Sequence, residues 1–256
     1  MKREFLSKIS EAVRKSPENQ SAQFTEDDIT NLPTAVQNYF RYCGYIGKNK
    51  IMNAEVIWTD AYHKRNQKSN WMKLNYYQYN SAYIPSRIVY IYTKLMGLIP
   101  MNVIEEYQDG IGSWSMKLMK RINIIDAYGT KELNQSALVT FLSESLLLPS
   151  IAIAPYITWT EIDQLSAKAV LTHNGNEVSG IFTFNAIGEF IQFETEDRYN
   201  SEDGKKYEKC NWIGLCSHYS EKRGIRYPTE FKAAWKMSEG YFEYFTGRIE
   251  EIVAAH

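Results

Sequence analysis

Apolar and polar residues alternate at period two through the C-terminal third of the chain, residues 166–253. Ala167, Ala169 and Leu171 alternate with Lys168, Val170 and Thr172 before the chain reaches Asn174-Gly175. That dipeptide is a strong hairpin signal, because a tight type I′ turn needs positive φ at both central residues. Val178, Gly180, Phe182 and Phe184 follow at the same spacing, residues 185–188 turn the chain, and Ile191, Phe193 and Thr195 return opposite Gln192, Glu194 and Glu196. Phe231, Ala233, Trp235 and Met237 then alternate with Glu230, Lys232, Ala234 and Lys236, and residues 238–240 lead into a last strand from Tyr241. The pattern predicts an antiparallel meander with one buried and one wet face.

The N-terminal region follows a different period. Phe5, Leu6, Ile9 and Val13 recur at helical spacing and predict an amphipathic helix over residues 2–15, followed by a polar, flexible link at 16–22 that contains Pro17. Thr25 with Asp28 has the form of a capping box. Pro33 suits a first helical position, and the apolar stripe Val36, Tyr39, Phe40, Cys43 ends at Gly44. From Lys50 the period returns to two. Met52, Ala54, Val56 and Trp58 share one face, residues 71–79 form a Tyr-rich strand, residues 87–96 are apolar on both faces, and a turn at Asp109-Gly110 joins Val103, Glu105, Tyr107 to Trp114, Met116, Leu118. A helix is predicted over residues 134–148, with Leu138, Phe141, Leu142, Ser145 and Leu146 on one side and Pro149 as its stop. The expected architecture is mainly β in an α+β arrangement: a helical region at 1–48, then a single half-barrel over 49–256. In it a curved antiparallel sheet (strands in 50–128 and 157–253) forms an incomplete barrel covered by the 134–148 helix and the N-terminal helices.

Composition narrows the function classes. With 256 residues the chain can bury a sizeable core, and with 29 basic and 30 acidic side chains it lacks the basic excess that nucleic-acid binding uses. The residues after Met1-Lys2-Arg3 are interrupted by Lys8, Glu11, Arg14 and Lys15, so no signal peptide is visible. The most apolar run, 146–157, contains two prolines and falls short of the about 20 residues a membrane helix needs. A cytoplasmic location is expected. Three cysteines leave at least one unpaired; Cys210 and Cys216 fit neither a redox nor a zinc motif, and reduced, partly buried thiols are expected.

Two resemblances emerge from the order of elements. Asp109-Gly110 followed by Trp114 and Met116, and Phe182-Thr183-Phe184 with Gly188 and Phe190 leading to Asp197, resemble the lipoprotein-localisation fold of the LolA and LolB type over roughly residues 50–253. That resemblance implies an incomplete barrel closed by helices over a hydrophobic cavity. The chain is also similar to a family of uncharacterised bacterial proteins, a domain of unknown function. The similarity is carried by Leu32-Pro33 with Tyr39 and Arg41, Asp109-Gly110 with Gly112, Leu142 and Glu144 with Pro149, Trp159 with Asp163 and Ala167, Arg198, Trp212, Gly224 with Arg226 and Pro228, Ala234-Trp235, and Gly247-Arg248-Ile249. This second family implies no catalytic residues.

Glu144, at the margin of the apolar helix face, is the foremost candidate. Beside a cavity it can act as a general acid or base or hold a polar head group. In the structural alternative it pairs with Arg198 or Arg226 and ties helix to sheet. The six tryptophans, Trp58, Trp71, Trp114, Trp159, Trp212 and Trp235, lie on or beside predicted strands, where they are core residues or, on one concave face, a slot for an apolar ligand. His63, His173, His218 and His256 are scattered, and neither a metal cluster nor a phosphate or dinucleotide fingerprint is present. No catalytic residue and no cofactor are assigned. The expectation is a soluble bacterial protein that binds a hydrophobic small molecule or lipid. Trp114, Trp159, Trp212 and Trp235 are the candidate lining, and Glu144, Arg198 and Arg226 the polar contacts. The alternatives are an enzyme using Glu144 with a second polar residue, or an interaction scaffold; the oligomeric state stays open.

Overall fold

The computed structural model describes residues 1–15, 22–95, 97–238 and 240–255. Six strands, β1 (Asn53–His63), β2 (Met72–Ser81), β3 (Ser86–Leu95), β4 (Ile99–Gln108), β5 (Ile111–Leu118) and β6 (Ile122–Tyr128), form a first meander. A second contains β7 (Ile157–Asp163), β8 (Ser166–His173), β9 (Asn176–Phe184), β10 (Phe190–Thr195), β13 (Trp212–Lys222), β14 (Ile225–Met237) and β15 (Gly240–Ala254). The short pair β11 (Tyr199–Asn200) and β12 (Glu208–Lys209) interrupts it. β15 pairs antiparallel with both β14 and β1, so the two meanders become one 13-stranded antiparallel sheet with β6 and β7 at its free edges.

This sheet curls strongly. The β4–β5 and β8–β9 turns lie about nine strand spacings apart along it, roughly 43 Å if it were flat. They touch all the same. Asn176 Nδ2 donates to the Gly110 carbonyl at 2.9 Å, and Tyr107 Oη lies 2.8 Å from His173 Nδ1. Both turns have the positive φ pair expected of type I′ (Asp109 51°, Gly110 85°; Asn174 48°, Gly175 75°), which holds each tip narrow enough to meet the other. The edges never pair, so the barrel is incomplete.

Helix α4 (Lys131–Ser143) fills the gap, packing on β4 and β5 at one end of the sheet and on β9 at the other. Its apolar residues Leu138, Val139, Phe141 and Leu142 join Phe182, Phe184, Phe190 and Phe193 in a fully buried inner core. Beside it the β11–β12 segment crosses the gap: Ser136 Oγ accepts from the Tyr199 amide at 3.0 Å, and Tyr207 packs on Ile125, Ala127 and Leu133.

The remaining helices lie on both faces. α1 (Lys2–Lys15) has the predicted bounds and buries Phe5 and Ile9 on the outer face against Tyr79, Ile88, Tyr90 and Ile104. The short α2 (Glu26–Ile29) carries the predicted Thr25–Asp28 capping box. α3 (Thr34–Cys43) packs on the inner core through Val36, Tyr39, Phe40 and Cys43, and Tyr39 donates to the Leu146 carbonyl at 2.8 Å. Pro33 is the residue before the first turn of α3, and Gly44 ends it in a left-handed conformation. Six of the seven positions of the predicted 16–22 link, residues 16–21, lie outside the described residues.

The central helix departs from the sequence reading. It begins three residues earlier, because the Thr130 side chain caps it by accepting from the Leu133 amide, and it ends at Ser143 instead of continuing to Leu148. Glu144 leaves the helix at its C-cap, and the buried Leu146, Leu147 and Leu148 follow in turns. Pro149 therefore stops nothing; it opens a one-turn helix, α5 (Pro149–Ala152), as first-turn prolines do. All three cysteines are free thiols.

Candidate functional site

Strand β2 directs Tyr76, Gln78 and Asn80, two residues apart, to the inner face of the sheet, and Arg87 stands opposite Asn80 on β3. Glu144, at the end of α4, comes down onto this polar stripe. Its Oε2 accepts from Gln78 Nε2 at 2.6 Å, Arg87 Nε at 2.9 Å and Asn80 Nδ2 at 3.1 Å. Each donor is oriented in turn: Trp58 Nε1 donates to Gln78 Oε1 at 2.9 Å, Gln78 Nε2 also donates to Asn80 Oδ1 at 2.9 Å, and Arg87 Nη2 donates to Tyr76 Oη at 2.8 Å. Gln78, Asn80 and Arg87 are all buried. Burial is the largest influence on Arg87 and opposes its charge, but the Glu144 carboxylate, Tyr76 and Glu105 together outweigh it and hold the guanidinium above its ordinary range. Burial also raises the Tyr76 hydroxyl, so it stays protonated. A carboxylate at a helix C-terminus faces the unfavourable end of the helix dipole, and Arg87 offsets that here.

Above this network lies a cleft of about 890 Å³, including its open mouth. Trp58, Leu74, Ile91, Phe193, Trp212, Phe231 and Phe245 give it apolar walls. Trp58 is edge-on to Tyr76, Phe231 and Phe245, with ring centroids 5.4 to 5.7 Å apart. Gly247 makes room for this indole, since a Cβ there would lie 2.9 Å from the Trp58 ring. Burial pushes the His63 imidazole down to about 4, so it is neutral at neutral pH, and it raises the Cys216 thiol well above its ordinary value. Arg198 also lines the cleft, at its β10 and β13 side. Its Nη1 donates to Thr140 Oγ1 at 2.5 Å, and its guanidinium lies 4.5 Å from the Trp212 ring centroid and 5.6 Å from that of Trp235.

A family model matches residues 22–247, taking in the helices α2 to α5, all but the end of the sheet, and every residue of this cleft. The chain belongs to the family of unknown function DUF6544. Neither a curated protein nor a solved structure matches it.

In this DUF6544 protein the candidates from sequence separate into groups. Glu144, Arg198 and Trp212 come together around the cleft. Trp235 backs it, stacked at 19° on Tyr244, which lines it and accepts from Trp212 Nε1 at 2.9 Å. Trp159 lies in the inner core against Phe182, its indole donating to the Ala152 carbonyl, and Trp114 packs beneath β6 with Ile125 and Ala127. Arg226 stands at the α3 end, paired with Glu221 at 3.1 Å and lying over Tyr42. The guanidinium partner of the Glu144 carboxylate is thus Arg87, neither Arg198 nor Arg226. Arg198 is tied one helical turn back, at Thr140, and Arg226 is held by Glu221, while Arg87 on β3 stands at the level where α4 ends.

Sequence reasoning passed over Arg87, Tyr76, Gln78 and Asn80. Their signal was a polar stripe at alternate positions of a strand whose neighbours were apolar on both faces. Chemically, the arrangement is a rigid polar floor under aromatic walls. Oε1 of Glu144 and the carboxylate of Glu105, another lining residue, have no hydrogen-bond partner among the described residues. No three His, Cys, Asp or Glu side chains among the described residues gather as metal ligands, and no helix among them is long and apolar enough to cross a membrane.

Proposed function

We propose that this protein binds a hydrophobic or lipid-like ligand in the inner cleft of its incomplete barrel. One observation carries the reading: the sheet interior is filled by Phe182 and Phe184 against α4, yet at the last turn of the helix, Thr140 to Glu144, it opens into the aromatic-walled cleft over the Glu144–Arg87 floor. Ligand sites combine such apolar walls with few, fixed polar groups. The resemblance to the lipoprotein-localisation fold, whose cavity holds acyl chains, supports the same reading. The test is native mass spectrometry of the purified protein together with organic extraction. A bound amphiphile released on denaturation is expected; a protein that stays empty after incubation with a mixed lipid extract would overturn the reading.

A second reading, an interaction scaffold, is favoured by the edge strand β6. Ile122, Ile124 and Tyr128 are about half exposed or more, next to the exposed Leu98 and Met119. An unpaired apolar edge is a template for another strand. Sedimentation over a concentration series checks it: self-association that Ile124→Lys abolishes supports it, and a monomer throughout counts against it.

A further inference from the structure

Two guanidinium groups line the cleft, and they differ in what satisfies them. Arg87 is occupied: its Nε donates to Glu144 and its Nη2 to Tyr76. Arg198 has no carboxylate within ion-pair distance among the described residues. Its Nη1 is used by Thr140, its Nε is buried without a partner, and its Nη2 has none among the described residues. The Trp212 and Trp235 rings hold the guanidinium through their π faces, a contact that positions a cation without neutralising it. A partly buried charge in that state is stabilised by any anion that reaches it.

We infer that the cleft takes an amphiphile with an anionic head group, a carboxylate or a phosphate monoester, and that Arg198 receives the head while Trp58, Phe231 and Phe245 surround the apolar body. The inference rests on the ligand-binding reading above and adds the charge and polarity of the ligand. The other ionisable groups of the cleft agree with this placement. His63 and Cys216 are uncharged at neutral pH and offer an anion no counter-charge. Lys232 is paired with Glu243 at 3.1 Å. Glu105 acts electrostatically on Arg87 and Tyr76, so its carboxylate repels an anion from the Arg87 side and leaves Arg198 as the open cation.

The experiment follows tryptophan fluorescence, Trp58 and Trp212 lying in the cleft, while the full chain is titrated with sodium laurate, dodecyl phosphate, methyl laurate, sodium acetate and inorganic phosphate. Laurate, dodecyl phosphate or both are expected to bind roughly tenfold or more tightly than methyl laurate, the scale of one charge-assisted hydrogen bond. Arg198→Gln is expected to bring the anionic ligands down to the affinity of methyl laurate and leave methyl laurate unchanged, with Arg226→Gln as a control that changes none of them. Which anion prefers the wild type assigns the head group. Equal binding of laurate, dodecyl phosphate and methyl laurate to the wild type overturns the assignment of Arg198 and leaves the ligand-binding reading standing, and this comparison needs no variant. Acetate or phosphate binding as tightly as the amphiphiles overturns the amphiphile and leaves a free-anion site. No binding of any amphiphile overturns both readings.

Discussion

Glu144 accepts three hydrogen bonds on a single oxygen from residues of two strands, and through it the end of α4 is fixed to the sheet. Removing one partner of such a pair strands the other charge. Glu144→Ala and Arg87→Ala are each expected to lower stability by about 3–5 kcal/mol, and Glu144→Leu with Arg87→Met in one chain by clearly less than the sum. Urea unfolding of the four proteins measures this, and additive losses would show that the pair is not a unit. His63 gives a pH dependence. Its folded value of about 4 lies below the ordinary imidazole value of 6.5, so the unfolded chain takes up a proton first as pH falls. Its contribution to stability is complete above about 6.5 and is lost progressively down to about 4. His63→Phe should flatten the urea midpoint over that interval, and an unchanged slope would remove His63 as its cause. At this scale the sequence marked Glu144 and Arg198 by residue type and position. It could not show that they serve different partners, because Glu144 at the end of α4, Arg87 on β3 and Arg198 just before β11 come together only when the sheet curls.

At the scale of elements, the two Gly-containing turns were legible because positive φ is a local demand that few residues meet. Their contact was not. Gly110 has φ 85° and a Cβ there would lie 2.5 Å from the Asn174 Cβ, whereas Gly175 has φ 75° and open space around it. Gly175→Ala is expected to cost about 1 kcal/mol, the ordinary penalty of a left-handed non-glycine residue, and Gly110→Ala at least twice as much. Asn174→Gly in the Gly110→Ala background should recover part of the difference. Thermal unfolding decides; equal costs at the two glycines would show that the tips do not press on each other. The helix α4 illustrates the converse. Its apolar periodicity was legible, but its end was not, since Leu146 to Leu148 continue the apolar run after Glu144 has turned out to meet Arg87.

At the scale of the molecule, the sheet depends on its last strand. β15 lies between β1 and β14 and is the sole link that turns two meanders into one sheet. Deleting residues 240–256 leaves two new open edges in the middle of the structure. The truncated chain is expected to lose cooperative unfolding by circular dichroism, and a synthetic peptide of the deleted sequence, added in trans, to restore part of it. A truncated chain that unfolds as sharply as the full one would mean that the halves fold apart.

By itself the sequence determined what is local: period-two strands, tight turns at Asp109-Gly110 and Asn174-Gly175, the capping box of α2, the bounds of α1, and an unclosed antiparallel sheet with helices. These follow from steric and hydrophobic rules that act over a few residues. Tertiary structure decided which arginine answers Glu144, which tryptophans face the cleft and which the core, and that the interior is filled against most of α4 and open at its last turn. Those outcomes depend on the direction of the sheet's curl and on the level at which one helix ends, and both are set by contacts between residues far apart in the chain.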